Sequence, residues 1–129
     1  MTLTKEDIWE RIRTDSVWVT GALTQITPLP APVAVLARQF RHIPMIWIPG
    51  NGTGQIGIQF LKLEADGITY TVKFCPIQVT ATGLVQIPQG AYDVENPILT
   101  LEGGTRLFGQ ASEMGTSVNV TIEYWDLDI

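Results

Sequence analysis

Cysteine, histidine and charged side chains are all scarce in this sequence. Its 129 residues include one cysteine, Cys75, so no intrachain disulfide can form and hydrophobic packing must stabilise the fold. A chain of this length can bury roughly two thirds of the surface that it exposes when unfolded. No apolar run approaches the roughly 20 residues that span a bilayer, and the N-terminus is charged where a signal peptide would be apolar. We therefore expect one soluble domain that is made in a cytosol-like compartment and has no membrane partner.

The scarcity of histidine bears on catalysis, because acid–base chemistry near neutral pH and most catalytic metal sites use this residue. Only His42 is present. A hydrolase pair could come from Glu64 with Asp66, Asp93 with Glu95, or Glu123 with Asp126. A Ca²⁺ site could come from Asp93, Glu95 and Asn96, or from Asp126 with Asp128. All of these lie at turns or strand ends, where acidic residues also serve solubility. The expectation is no catalytic residue, no cofactor, no metal ion and no small-molecule substrate.

Charge is low and unevenly distributed. The net charge is −5, so the chain lacks the basic surplus that would attract nucleic acid. Seven of the 21 charged residues lie in positions 1–15, which leaves 14 for the other 114 positions. Ordinary domains carry about a quarter charged residues. Two interpretations stay open: partners cover much of the surface, or the domain has a face rich in threonine and glutamine.

One helix is predicted, at residues 4–14. Thr4 can cap it, and acidic residues occupy the first turn, where the helix dipole favours them. Ile8 and Ile12 share one face, and Trp9 flanks that face. The helix therefore has one apolar side, which could dock on its own domain or on a neighbouring subunit.

From residue 17 onward, short β-rich runs alternate with Gly, Pro and Asn, which is typical of an all-β fold. About eight runs are present, at residues 17–26, 33–40, 43–48, 55–63, 68–74, 84–87, 98–101 with 105–110, and 117–125. The predicted architecture is an antiparallel β-sandwich or jelly roll that occupies residues 33–129. Residues 1–32 are predicted to form the helix and an extended arm, because prolines at 28, 30 and 32 exclude a central strand.

The Asp66-Gly67 pair is the strongest local signal, because type I′ hairpin turns need positive φ angles that glycine adopts at little cost. The flanking runs should pair antiparallel. In the second run, the alternation predicts a half-buried strand with Ile68, Tyr70, Val72 and Phe74 on the buried side.

Two runs break the alternation. Residues 43–48 are apolar on both faces, and Phe60-Leu61 interrupts the order set by the preceding isoleucines. A two-layer sandwich covers only one face of each sheet, so a helix, an arm or another subunit should cover the outer face here. The predicted partner interface comprises Ile8, Trp9, Ile12, Trp18, Ile46 and Trp47.

Exposed aromatic residues offer a second interpretation, a carbohydrate-binding module whose Trp and Tyr rings stack on sugars. Four residues are candidates: Trp18, Trp47, Tyr92 and Trp125. Trp47 lies in the doubly apolar run and is better assigned to the core or an interface. Trp125 lies on the outward side of the last strand. The predicted glycan platform is therefore Tyr92 with Trp125, for a host or surface glycan.

The order of several segments resembles small β-sandwich virion proteins of tailed bacteriophages. The segments are TPLPAP at 27–32, RQFRHIP at 38–44, a glycine-rich turn before QIGI at 55–58, IPQGAY at 87–92, LEGGTRLFGQAS at 101–112 and VTIEYW at 120–125. The likeness covers residues 27–126 and excludes the predicted helix. None of these segments has the specificity of a metal or nucleotide signature.

The resemblance implies a non-enzymatic structural part of a virus particle, a capsid decoration or cement protein, or another minor virion component. Its partners would be further copies of the same chain, with a trimer as one candidate, and a major capsid or other virion protein. The protein would be made in the host cytoplasm and located in the virion.

Overall fold

The computed structural model describes residues 3–26, 35, 39–50, 54–88, 90, 93–113 and 117–128, with the side chains of residues 75 and 76 left out. The elements in this part are α1 (Lys5–Arg11), β1 (Arg13–Thr20), β2 (Thr24–Gln25), β3 (Gln39–Ile48), β4 (Ile56–Leu63), β5 (Tyr70–Val79), β6 (Val85–Ile87), β7 (Leu99–Leu101), β8 (Arg106–Ala111) and β9 (Ser117–Asp128). None of the described residues forms a helix that is long and apolar enough to cross a membrane.

The strands form two antiparallel sheets, which confirms the predicted all-β sandwich. The first sheet has the order β1-β9-β3-β6, and β7 also pairs with β3. The second sheet has the order β2-β8-β4-β5. The main core fills the space between the sheets, and its largest fully buried side chains include Phe60, Ile43, Ile46 and Ile122.

Helix α1 begins as predicted but ends early. Thr4 and Asp7 form a capping box, in which Asp7 N donates to Thr4 Oγ1 (3.1 Å) and Thr4 N donates to Asp7 Oδ2 (3.0 Å). The helix ends at Arg11, because Ile12 is already extended and β1 begins at Arg13. The predicted end at residue 14 is therefore wrong.

The predicted division at residue 32 places two strands outside the sandwich to which they belong. Strand β1 pairs with β9 over its whole length, from Arg13 opposite Tyr124 to Thr20 opposite Ser117. Strand β2 pairs with β8. The sandwich therefore begins at Arg13, directly after the helix. Most of the predicted proline-rich arm, residues 27–34, lies outside the described residues.

The hairpin between β4 and β5 is confirmed, but its turn is not type I′. A type I′ turn needs two consecutive residues with positive φ. Among the described residues only glycines have a positive φ, and Gly67 (φ +75°) is flanked by Asp66 and Ile68. The loop is longer than two residues, because Gly67 N donates to Glu64 O and Glu64 N donates to Thr69 O. The carboxylate of Asp66 orders the loop by accepting hydrogen bonds from Ile68 N, Thr69 N and the Thr69 hydroxyl.

Bulges in this hairpin reverse the predicted faces of β5. Phe60 is opposite Phe74, whereas the next residue, Leu61, is opposite Val72, so β5 holds one extra residue at position 73. Phe74 packs against the core. Beyond the bulge, Val72 and Tyr70 point to the outside of the sheet and are exposed. The predicted burial of Ile68, Tyr70 and Val72 is therefore wrong.

Candidate functional site

The acidic residues that could have formed a catalytic pair are engaged in turns and ion pairs. The carboxylate of Asp93 accepts from Glu95 N (3.0 Å) and from the Asn96 amide (2.8 Å). The Glu95 amide and Asn96 hold the pKa of Asp93 below its usual value, and the Thr69 hydroxyl and amide do the same for Asp66. A general acid near neutral pH needs a raised pKa. Neither carboxyl has the protonation behaviour of a general acid.

Arg41 and Asp126 form an ion pair at one end of the core. Arg41 Nε and Nη2 donate to the two carboxylate oxygens of Asp126 at 2.8 and 3.0 Å. The guanidinium also lies over the ring of Tyr124, 4.4 Å from its centroid. Burial alone would lower the pKa of Arg41, but the hydrogen bond and charge of Asp126 outweigh it and raise that pKa. Asp126 therefore has a structural partner.

His42 and Trp125 form a packed pair on the outer face of the first sheet. Their ring centroids are 4.2 Å apart, and His42 Nδ1 lies 3.0 Å from Thr100 Oγ1. Burial lowers the pKa of His42, although the charge of Asp126 opposes the shift. The imidazole is therefore neutral near pH 7. In the described part of the chain, no three residues of the types His, Cys, Asp and Glu come together to hold a metal ion.

The predicted glycan platform at Trp125 is wrong. Trp125 does lie on the outer face of β9, as the alternation predicts, but its side chain is only 6% exposed. Its indole N–H donates to Val94 O (3.1 Å), and Ile8 of α1 and Val94 pack with the ring in a second, smaller core. The helix therefore covers this end of the sheet. Tyr92, the other predicted platform residue, lies outside the described residues.

The six predicted interface residues separate into a buried and an exposed group. Ile46 is buried in the main core, and Ile8 of α1 is buried in the smaller core. Neither can therefore line an external interface. Ile12 is half-buried against the smaller core. The exposed residues are the three tryptophans, Trp9, Trp18 and Trp47. Their role in a partner interface stays a prediction.

Trp18 and Trp47 lie on the same outer face, at the end of the first sheet that α1 leaves uncovered. They are 62% and 43% exposed. Trp18 on β1 is opposite Asn119 on β9. Thr121 on β9 is opposite Ser16 on one side and Trp47 of β3 on the other. Gln86 on β6 is opposite Trp47. Residues opposite each other in antiparallel strands share a face. We call these six residues the tryptophan face: Ser16, Trp18, Trp47, Gln86, Asn119 and Thr121.

The polar side chains of the tryptophan face are connected to one another or to the backbone. The hydroxyls of Ser16 and Thr121 are 2.8 Å apart, and Thr121 Oγ1 donates to Asn119 Oδ1 (3.4 Å). The side-chain amide of Gln86 donates to Gly90 O at 2.7 Å. None of the six residues is charged. The face therefore presents two indoles beside an ordered, neutral row of hydroxyl and amide groups.

The second sheet exposes an apolar surface of a different kind, which the sequence did not indicate. We call it the β5 strip: Leu61, Tyr70, Val72 and Phe108. Leu63, opposite Tyr70, is only 7% exposed, and Arg106, opposite Leu63 on β8, borders the strip. Tyr70 and Phe108 meet edge to face, with ring centroids 5.7 Å apart. Val72 is 54% exposed. The strip borders the free side of β5, whose only strand neighbour among the described residues is β4.

A cleft of about 640 Å³ lies at the other end of the second sheet, where Gln55, Gln59, Gln78 and Gln110 contribute to its lining. Gln59 Nε2 donates to Gln110 Oε1 (3.1 Å), and Gln110 Nε2 donates to Gly21 O (3.0 Å). These two amides already bond within the chain.

Comparison of the sequence with models of known protein families and with curated proteins finds no match. Function must therefore be argued from the surfaces of the chain itself.

Proposed function

We propose that this chain is a non-enzymatic structural subunit of a virus particle, a capsid decoration or cement protein that packs on the shell as a homo-oligomer. The observation that supports self-association is the β5 strip, an exposed apolar surface beside an open strand edge. The phage-like order of segments along the chain supports the virion assignment.

The β5 strip has the composition of a contact surface. Tyr70 and Val72 point outward because of a bulge. Bulges that redirect side chains are common at sheet edges and next to functional sites. Burying a large apolar side chain contributes about 1.5–3 kcal/mol, from which the cost of ordering at an interface is subtracted. In an edge-to-edge pairing, the exposed side chains of the two strips would lie beside each other on one continuous sheet face and bury part of their surface against one another. This burial would favour association of the subunits.

The backbone of β5 supports the same conclusion. Glu64 N donates to Thr69 O, and bonded and non-bonded pairs alternate along an antiparallel ladder. Thr71 therefore bonds to Lys62, its partner on β4, whereas the N–H and C=O groups of Tyr70 and Val72 point to the open edge. An antiparallel pairing of two copies centred on Thr71 places Tyr70 of each opposite Val72 of the other. Such a pairing is self-complementary, as a two-fold interface requires.

Sedimentation velocity of the purified chain and of Val72→Lys tests this interface. The native chain should form an oligomer at micromolar concentration. Val72→Lys should shift the equilibrium toward the monomer, because lysine would replace the apolar contact between Val72 and Tyr70 of the other copy, and a charged side chain on an edge strand opposes such pairing. Leu84→Lys is the matched control, because Leu84 is 58% exposed and lies outside the strip. It should leave the oligomer intact. A monomeric native chain, or equal behaviour of the two lysine variants, would contradict the proposal.

Binding to virus shells tests the second half of the proposal. Shells assembled without the chain should bind the purified protein at a fixed stoichiometry and sediment with it, and the bound shells should resist heat or osmotic shock better than bare ones. A chain that stays in the supernatant at saturating concentration would refute the virion assignment while leaving self-association intact.

A further inference from the structure

We propose that the tryptophan face binds a neutral oligosaccharide, with Trp18 and Trp47 stacking on two different sugar rings and Asn119 and Thr121 contacting hydroxyls between them. The inference does not rest on self-association, because the tryptophan face and the β5 strip lie on different sheets.

The geometry of the face determines how long the ligand must be. Trp18 and Trp47 lie two strands apart, and their partners on β9, Asn119 and Thr121, are two residues apart along that strand. With strands about 4.8 Å apart and about 3.4 Å per residue, their Cα atoms are separated by about 12 Å. One pyranose ring cannot contact both indoles across this distance. The two tryptophans would therefore stack on non-adjacent sugars of one chain.

The chemistry of the face distinguishes a sugar from other ligands. The axial C–H bonds of a pyranose ring form an apolar face that matches an indole, while its equatorial hydroxyls need polar partners at the side. The tryptophan face offers both, with Ser16, Thr121 and Asn119 already joined by hydrogen bonds. A small number of polar groups at fixed positions beside aromatic side chains can orient a small ligand. Their fixed positions reduce the ordering cost of binding.

Two other partner classes fit this face less well. A nucleic-acid strand would stack on tryptophan, but it needs cationic side chains to follow its backbone, and the face has none. A protein partner packed on both indoles would bury the hydroxyls of Ser16 and Thr121 and the amide of Asn119, and it would have to supply matching polar groups between its apolar contacts. A sugar carries such hydroxyl groups around every ring. Glu123 borders the face, two residues after Thr121 on the same side of β9 and opposite Met45, and its charge together with the lack of cationic groups disfavours an acidic polysaccharide. A neutral, extended chain of β-1,4-linked sugars fits best, because all of its rings present their apolar faces along one flat ribbon.

Isothermal titration calorimetry of the full chain with cellohexaose and N-acetylchitohexaose tests the inference, with maltohexaose, whose chain is helical, for comparison. We expect saturable binding of at least one β-1,4-linked hexasaccharide, accompanied by a change in tryptophan fluorescence. The matching disaccharide should bind at least tenfold more weakly, because it cannot reach both indoles. Maltohexaose should also bind more weakly.

Variants then locate the site. Trp18→Ala and Trp47→Ala should each weaken binding at least tenfold, whereas Trp9→Ala should leave it unchanged, because Trp9 is exposed on α1 and outside the face. Trp18→Phe should retain part of the affinity, and Thr121→Val, which keeps the shape of the side chain, should lose several-fold. Circular dichroism verifies that each variant is folded.

Three outcomes would overturn the inference. The first is that neither β-1,4-linked hexasaccharide saturates the chain at millimolar concentration. The second is binding that is insensitive to both Trp18→Ala and Trp47→Ala. The third is that these two variants abolish attachment to virus shells while no saccharide perturbs tryptophan fluorescence, which would make the face a protein interface.

Discussion

Trp47 and Trp125 occupy the same outer face of the first sheet, yet one is exposed and the other buried. Trp125 lies beneath α1 and beside Val94, and its N–H bonds to a backbone carbonyl. Trp47 lies beyond the reach of the helix. Alternation along a strand determines which face a residue occupies, but only tertiary packing determines what covers that face. This is why the sequence predicted correctly that Trp125 lies on the outer face of the sheet, and incorrectly that it is exposed there.

His42 makes stability depend on pH in a defined direction. Its pKa in the folded chain lies below the ordinary 6.5, because burial disfavours the charged ring more than Asp126 favours it. As the pH falls below 6.5, the unfolded chain binds a proton more readily than the folded chain, so stability decreases toward the folded pKa. We expect the thermal midpoint to fall from about pH 7.5 to about pH 5.5, a range in which unperturbed carboxylates stay mostly ionised.

His42→Gln is the control for this effect, because it removes the titrating ring and keeps a group that can bond to Thr100. Its thermal midpoint should change less over the same range. If differential scanning calorimetry gave parallel pH profiles for the two proteins, another group would have to account for the pH dependence.

At the scale of elements, the parts that the sequence predicted well depend on local rules. The capping box of Thr4 and Asp7 and the hairpin around Gly67 are encoded within a few residues. The alternation in β9 also holds, with Val118, Val120 and Ile122 all buried.

The errors arise where one element meets another. A bulge adds a residue at position 73 and turns Tyr70 and Val72 outward, and no local composition rule locates such a bulge. Likewise, β1 was predicted only from residue 17 and was placed outside the sandwich, because its membership of a sheet depends on pairing with β9 about a hundred residues later. Both candidate surfaces depend on such long-range pairing. The sequence therefore did not indicate the β5 strip, and it identified only Trp18 and Trp47 among the six residues of the tryptophan face.

Strand β8 approaches β1 and the segment after β2 so closely that a side chain at Gly109 would be crowded. A Cβ atom there would lie 3.0 Å from Ile26 Cδ1 and 3.1 Å from Val19 Cγ2, both in the main core. Gly109→Ala should therefore lower the free energy of unfolding by about 1–3 kcal/mol, as measured by urea denaturation.

Gly57 on β4 provides the comparison for Gly109. A Cβ atom there would be 3.4 Å or more from Gln78 and Ser112, which is ordinary contact. Gly57→Ala should leave stability unchanged or raise it slightly, because alanine restricts the unfolded chain. Equal losses for the two variants would mean that the close approach at Gly109 is not what limits substitution.

At the scale of the whole molecule, the two sheets present outer faces of different chemistry. One end of the first sheet is covered by α1, and its other end carries tryptophans beside neutral polar groups. The second sheet carries an apolar strip along β5, which pairs only with β4 in the described part of the chain. We propose different partners for these surfaces, a sugar chain for the first and another copy of the chain for the second. Both surfaces can be occupied at once, which suits a subunit that is fixed in an assembly and also displays a binding face.

Amide hydrogen exchange, followed by NMR from low to high protein concentration, tests the central claim most directly. In the isolated chain the N–H groups of Tyr70 and Val72 point to the open edge of β5, whereas the N–H of Thr71 points toward Lys62 on β4. We expect the amide hydrogens of Tyr70 and Val72 to exchange fast in dilute solution and to become protected as the chain associates, while that of Thr71 is protected throughout. Fast exchange at Tyr70 and Val72 under conditions in which the chain is fully oligomeric would contradict it.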